Sequence, residues 1–97
     1  MGARGFQVNI AKPPGGFEVR ISPEVQAHLR LVTAEFTDFR WRWASVVDRL
    51  KQTAHVEGVT IDGQPGQRGG VFVMDGWRIK VAWHVLGDTV TVLRADF

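Results

Sequence analysis

The chain of 97 residues contains no cysteine, which excludes a disulfide framework and any metal site built on thiolates. This composition fits the reducing cytoplasm, where we expect the protein to reside. No apolar run approaches the roughly 20 residues that a transmembrane helix requires. Residues 1–16 contain no continuous apolar segment of the kind found in signal peptides. We therefore expect a soluble protein without a membrane partner.

The chain also has no large excess of charge of one sign. It contains 12 Lys and Arg and 10 Asp and Glu, which gives a net charge of +2. Nine of these 12 cations are Arg, the side chain best suited to bidentate phosphate contacts and to stacking on aromatic rings. This balance permits a nucleic-acid partner without demanding one. The length fits one domain over residues 1–97, and a composition that is 44% hydrophobic can fill one core.

Two short stretches near the start alternate apolar and polar residues, which is the pattern of a β-strand: Phe6–Ile10 (FQVNI) and Phe17–Ile21 (FEVRI). Prolines and glycines at positions 12–16 (KPPGG) predict a loop between them. Residues 1–16 are therefore interpreted as an additional strand and loop before the main domain. That strand would either extend the edge of the sheet or be exchanged between the protomers of a homodimer.

Two amphipathic helices are predicted next. Ser22-Pro23-Glu24 is a helix start, with a hydroxyl at the N-cap and proline in the first turn, and Thr37-Asp38 offers a second cap. The apolar stripes that follow share the spacing of one helix face: Val25, Leu29, Val32 and Phe36, then Phe39, Trp43, Val46 and Leu50. Because the join is short, we expect an antiparallel helical hairpin.

The remainder of the chain predicts strands. Residues 57–70 (EGVTIDGQPGQRGG) are rich in Gly and Pro and are interpreted as a connecting loop, in which Val59–Ile61 is a candidate for a brief extended piece. Strands follow at about 71–74, 77–85 and 89–95. Asp75-Gly76 is a strong two-residue hairpin turn. The sequence thus predicts an α+β fold in the order β-α-α-β-β-β, with the helical hairpin on one face of a mainly antiparallel four-stranded sheet.

The hairpin register predicts which side chains of the strands point away from the helices. With Asp75-Gly76 as the turn, Phe72, Ile79 and Trp83 face the helices and the opposite face carries Arg78, Lys80 and His84. On the last strand we expect Thr89, Thr91, Leu93 and Ala95 on that opposite face and Arg94 on the helix side, so that the face holds no acid. A solvated sheet surface and a site for a polyanion are both consistent with this basic row.

Other candidate residues lie outside the row. Trp41 falls off the apolar stripe between Arg40 and Arg42, so it either stacks on a base or partner side chain or covers the edge of the core. Arg68 and Arg94 are further cations for target binding. No HxxxH or HExxH spacing predicts a metal site, and the glycines at 63–70 (GQPGQRGG) lack the Lys-Ser/Thr of a P-loop. No cofactor is expected.

The segment Asp75–Trp83 (DGWRIKVAW) is similar to a strand pattern of the RelE/ParE superfamily, the toxins of bacterial type II toxin–antitoxin modules. The pattern is glycine, aromatic, arginine, then alternating aliphatic residues that end on an aromatic. FEVRISPEVQAHL at residues 17–29 and the Val-rich last strand extend the similarity to residues 17–97. The resemblance implies a cognate antitoxin as partner, and as target either mRNA on the ribosome, which is cleaved, or DNA gyrase.

In the nuclease branch of that superfamily, Arg78 matches the strand arginine that contacts the scissile phosphate. RNA cleavage requires an activated 2′-OH, charge stabilisation and a proton donor, roles for which Arg78, Lys80 and His84 are the candidate catalytic residues. Two lysines of that branch correspond in position to Gly69 and Val71 of this sequence. The basic segment that follows the last strand in that branch has no counterpart after Phe97. The endoribonuclease set is therefore incomplete, which favours the gyrase-directed branch of the superfamily or a degenerate member. The alternative is a non-catalytic module that binds protein or nucleic acid through the basic face.

Overall fold

A computed structural model describes residues 12–97, so the predicted strand Phe6–Ile10 lies outside the described residues. The elements in chain order are β1 (Glu18–Ile21), α1 (Pro23–Glu35), α2 (Phe39–Thr53), β2 (Val59–Thr60), β3 (Gln67–Met74), β4 (Trp77–Leu86) and β5 (Thr89–Asp96). The predicted α+β class is confirmed. The described sheet has five strands instead of the predicted four, because the two-residue β2 precedes the strands of the C-terminal meander.

The sheet has the strand order β1-β5-β4-β3-β2. The first strand, β1, lies parallel to the last one, β5, and the other neighbours are antiparallel. Both helices belong to the connection that follows β1, and they lie on one side of the sheet, where their apolar residues meet the buried side chains of the strands. No helix of residues 12–97 lies on the other side of the sheet.

The stripe predicted for α1 is buried only at Val25, since Leu29 and Val32 are half-buried and Phe36, which follows the helix, is 48% exposed. The Ser22 hydroxyl accepts a hydrogen bond from the Val25 N–H at 3.4 Å, as expected of an N-cap. Asp38 was expected to cap α2, but its side chain makes no capping bond. The Asp38 backbone is already helical, and its carbonyl oxygen accepts a hydrogen bond from the Arg42 guanidinium at 3.0 Å. The predicted stripe of α2 is entirely buried: Phe39, Trp43, Val46 and Leu50.

The register of the β3–β4 hairpin is the predicted one, with Met74 opposite Trp77 and Phe72 opposite Ile79. Trp83 is completely buried, and its indole N–H donates to the Ala54 carbonyl at 3.0 Å. This bond ties the middle of the sheet to the end of α2. The buried side of β4 and β5 carries Ile79, Val81, Trp83, Val85, Val90, Val92 and Ala95.

The interpretation of residues 57–70 as a loop is wrong at its end, since β3 begins at Gln67. Glycine suits this part of the strand because other groups approach it closely. A Cβ on Gly70 would lie 3.4 Å from the Trp83 ring, and Gly58, with φ of +64°, packs directly on the Gly69 carbonyl. Glycine in a strand often marks such a close approach.

Candidate functional site

The side of the sheet without helices, called the open face below, carries the predicted basic row. Arg78 and Lys80 are exposed on β4, whereas His84 on the same strand is half-buried. Their partners on β3 are Val73, Val71 and Gln67, respectively. The alternation of β4 thus places the three side chains where the sequence predicted them, because Ile79, Val81 and Trp83 between them are buried.

Arg94 also lies on the open face, and the prediction that it lies on the helix side is wrong. The β4–β5 register shifts between Ala82 and Trp83: Trp83 is opposite Val92, Ala82 is opposite Arg94, and Leu93 has no partner. Such a bulge inserts one residue into one strand and reverses the faces of all residues that follow. Ala95, expected on the open face, is buried instead.

The same shift brings an acid to the open face, which the sequence did not predict. Asp96 is the β5 partner of Lys80, and it is exposed. Within residues 12–97, however, the side chains of Arg78, Lys80 and Arg94 form neither a hydrogen bond nor an ion pair. Three cations on two neighbouring strands are therefore available to an anionic partner.

A shallow groove of about 550 Å³ is lined by two of these cations, Lys80 and Arg94, and does not reach Arg78. Its floor is formed by small residues, Gly69 and Ala82, which are cross-strand partners. Lys80, Arg94 and Asp96 line one part of the groove, and the apolar side chains of Val59 and Val71 line another. Because the floor is low, a flat group such as a base or a peptide backbone can approach the sheet here.

His84 lies at the far end of the row, beside a different cavity. That cavity, of about 1000 Å³, is lined by His55, His84 and Arg68 together with the loop at residues 60–67. The His84 ring packs on Gly66, where an added Cβ would lie 2.8 Å from Nε2. The larger cavity therefore contains neither Arg78 nor Lys80, and we place the candidate site at the cations of the open face.

The spacing along β4 separates the three residues proposed for catalysis. At about 3.3 Å per residue, Arg78 and Lys80 are about 7 Å apart along the strand, whereas Arg78 and His84 are about 20 Å apart. Arg78 and His84 therefore do not converge on one phosphate. Lys80 and Arg94, on adjacent strands, share the groove.

The Arg40-Trp41-Arg42 triplet lies on α2, away from the open face. Trp41 is 74% exposed, so it does not cover the edge of the core. Arg42 is engaged, because its guanidinium pairs with Asp75 at 3.3 Å with only 21% of the side chain exposed. This contact holds the β3–β4 turn against the start of α2 and leaves Trp41 and Arg40 as the accessible members of the triplet.

Arg68 lies on the helix side as well, since its partner on β4 is the buried Trp83. Its guanidinium donates to the carbonyl oxygens of Glu57 at 2.8 Å and Gly58 at 3.3 Å. These bonds satisfy backbone acceptors that follow α2. Arg68 thus holds the β2 segment in place and points away from Arg78.

A signal for the position of Arg94 exists in the sequence. The run Thr89–Val92 alternates polar and apolar residues, but Leu93 follows Val92 directly, so two apolar residues stand side by side. Arg94, Ala95 and Asp96 then resume the alternation in the opposite phase. A break of phase inside a strand is the mark of a bulge.

Within the described part of the chain, no group of three or more His, Cys, Asp or Glu side chains could hold a metal ion. No helix among the same residues is long and apolar enough to cross a membrane. The chain matches no family model, no curated protein and no solved structure. Function must therefore be inferred from the residues and their geometry.

Proposed function

We propose that the chain is the toxin of a bacterial type II toxin–antitoxin module, of the RelE/ParE kind, and that it inhibits translation by binding messenger RNA on the ribosome. One observation carries the proposal: Arg78, Lys80 and Arg94 project from one open sheet face with no ionic partner among residues 12–97. A cognate antitoxin, which neutralises the toxin, is the second partner.

The order of elements supports this proposal. The resemblance implies β-α-α-β-β-β, and the described elements have this order once the two-residue β2 is set aside. The residues that carry the resemblance, Gly76 to Trp83, form the turn and the first part of β4. Arg78, the position matched to a phosphate-contacting arginine, is exposed.

The spacing of the cations favours binding along an extended strand. Each phosphate of a single-stranded RNA carries one charge, and a groove that tracks the backbone needs cations at several points. The row of Arg78 and Lys80, with Arg94 beside it, supplies such points, and the small residues Gly69 and Ala82 leave room for a base. With His84 about 20 Å from Arg78, retention of RNA explains the geometry better than cleavage at one centre.

Induced expression in a bacterial host tests the proposal. We expect the wild-type chain to arrest growth and to lower pulse-labelled protein synthesis at least tenfold, while Arg78→Ala restores both. The matched control is Arg20→Ala, which removes an exposed arginine on β1 that is already paired with Glu18 at 3.1 Å. This variant should remain as toxic as the wild type.

Different arrests would assign different targets. Arrest of DNA synthesis ahead of translation would replace the ribosome by DNA gyrase. Arrest of translation with cut mRNA would restore the endoribonuclease interpretation and assign the cleavage to residues of the groove. If expression has no effect on growth, the toxin proposal is wrong.

A second candidate function has its own observation. Val59 and Val73 are 70% and 63% exposed, and both lie on the open face beside the cations. Exposed apolar residues next to charges are typical of protein interfaces. A binding module without toxicity, using the same face for a protein or nucleic acid, is therefore the alternative, and it is distinguished by normal growth on expression.

A further inference from the structure

The outer edge of β3 is only partly covered. This strand spans eight residues, Gln67–Met74, whereas β2 spans two and pairs only with Arg68 and Gly69. The Gly58 backbone approaches Gly69 and Gly70 as well, so within residues 12–97 the segment Val71–Met74 has a neighbouring strand, β4, on one side only.

The turn at Asp75-Gly76 determines which backbone groups of that segment are free. In a two-residue hairpin the flanking pair, here Met74 and Trp77, exchanges hydrogen bonds, and bonded pairs then alternate with non-bonded pairs. The N–H and C=O groups of Val71 and Val73 consequently point away from β4. Gln67 has the same phase, since its carbonyl accepts a hydrogen bond from Ile61 N–H at 3.1 Å on the β2 side.

The side chains at this edge do nothing to discourage pairing. Val71 and Val73 are 46% and 63% exposed, and Gly70–Met74 contains no charged residue. The opposite edge of the sheet differs, because β1 carries Glu18 and Arg20, paired with each other and both largely exposed. Charged side chains protect an edge strand from unwanted pairing, so among the strands that the structure describes only β3 has an edge left as a template for another strand.

The charges next to this edge select the partner. Val71 and Val73 are the cross-strand partners of Lys80 and Arg78. The long side chains of these two cations therefore lie beside the valines on the open face. A strand added to β3 lies about 10 Å from β4, within reach of those cations when its own side chains are long and acidic. We propose that the free edge of β3 binds an extended segment of another protein in which every second residue is acidic, by addition of a strand to the sheet.

Two other occupants fit the charges less well. A second copy of the chain, paired edge to edge, would bring two basic rows onto one continuous face. Residues 1–11 of the chain itself contain one cation, Arg4, and no acid. The inference rests on the edge and its charges, so it holds whether or not the protein is a toxin.

The test uses a blocked peptide of about six residues, a common strand length, in which glutamate alternates with valine, added to the full chain labelled with ¹⁵N. We expect the largest amide shifts and slowed hydrogen exchange at Val71 and Val73. A peptide with lysine in place of glutamate should bind at least tenfold more weakly. Equal binding of the two peptides, shifts centred on β1 or the helices, or no binding at millimolar peptide would each overturn the proposal.

Two variants separate the backbone from the charges. Val73→Pro removes an N–H that points outward and so leaves the β3–β4 bonds intact; it should weaken binding of the glutamate peptide at least tenfold. Lys80→Glu keeps the backbone but offsets the charge of Arg78 beside the edge, so the two peptides should bind about equally. The control Arg20→Glu at the other edge should leave the preference for the glutamate peptide unchanged.

The free protein distinguishes the other occupants. If the Val71 and Val73 amides are already protected and lose protection when residues 1–11 are deleted, the chain covers its own edge and the proposal is wrong. A concentration-dependent dimer that Val73→Pro abolishes would identify a second copy as the occupant and would overturn it equally.

Discussion

The arginines of this protein differ in what each guanidinium contacts. Arg42 pairs with Asp75, Arg68 donates to backbone carbonyls, and Arg49 forms a bidentate pair with Glu57 while lying 5.0 Å from the Phe72 ring centroid. These three side chains join α2 and the residues that follow it to β3. Arg78 and Arg94 have no such partner among the described residues, and neither do Arg30 and Arg40 on the helices. The position of Arg78 and Arg94 on the open face is what makes them candidate site residues.

Removal of Arg78 should therefore leave the fold intact. We expect Arg78→Ala to change the free energy of unfolding by less than about 0.5 kcal/mol, as is usual for exposed positions. Trp83→Ala should lower it by about 3–5 kcal/mol, the range for a large buried aromatic, since Trp83 is completely buried. Urea denaturation followed by circular dichroism measures both values. Equal destabilisation by the two variants would contradict the placement of Arg78 on the open face.

Among the elements, β5 has the largest influence on the candidate site. Its bulge at Leu93 turns Arg94 and Asp96 to the open face and sends Phe97 to the helix side, where the Phe97 ring lies 4.6 Å from that of Phe39 and 5.8 Å from that of Trp43. One unpaired residue thus decides both the charge of the groove and the closure of the core at the end of the chain.

Deletion of Leu93 tests the position of the bulge. Because the register already places Arg94 opposite Ala82, removal of the unpaired residue should leave Arg94 and Ala95 on their present faces, and we expect the free energy of unfolding to change by less than about 1 kcal/mol. Deletion of Ala95 is the contrast, since it shortens β5 equally but forces a charged side chain, Arg94 or Asp96, to the core side. That deletion should lower the free energy of unfolding by about 3 kcal/mol or more, because a buried unpaired charge costs several kcal/mol. Thermal unfolding of the two variants side by side gives the comparison, and equal destabilisation would contradict the assigned register.

At the scale of the whole molecule, the two sides of the sheet differ in what covers them. Both helices pack on one side, where all the buried hydrophobic side chains of the described residues form one cluster. The open face has no such cover from residues 12–97 and combines cations, exposed valines and a low groove floor. A net charge of only +2 gives little attraction at long range, so binding of a polyanion depends on the local arrangement of the open-face cations.

The salt dependence of RNA binding reports how many of the open-face cations contact phosphates. If three cations contact phosphates of a single strand, the logarithm of the association constant should fall with the logarithm of the salt concentration with a slope of about −2, at roughly 0.7 per contact. Arg78→Ala and Arg94→Ala should each reduce the slope by about 0.7, and Arg20→Ala should not change it. Fluorescence anisotropy of a labelled oligonucleotide across a salt series gives these slopes; identical slopes for all four proteins would exclude the open face as the contact surface.

Much of the fold follows from local pattern. Helical spacing places the apolar side chains of α2 on one face. The two-residue turn at Asp75-Gly76 sets the β3–β4 register. The same logic placed Arg78 and Lys80 on the open face, because alternation along β4 is continuous. It failed at Asp38, whose backbone is already helical, and at Arg94, which follows an irregular strand pair.

The sequence by itself determined the α+β class, the burial of the α2 stripe and the side of the sheet from which Arg78 and Lys80 project, since each depends only on residues a few positions apart. Only the tertiary structure decided the strand order, the turn of Arg94 and Asp96 to the open face, and which cations are engaged. Arg42 and Arg68 are held by Asp75 and by the backbone at residues 57–58. These contacts join residues that lie far apart in the chain, and no local periodicity reports which distant group a side chain will meet.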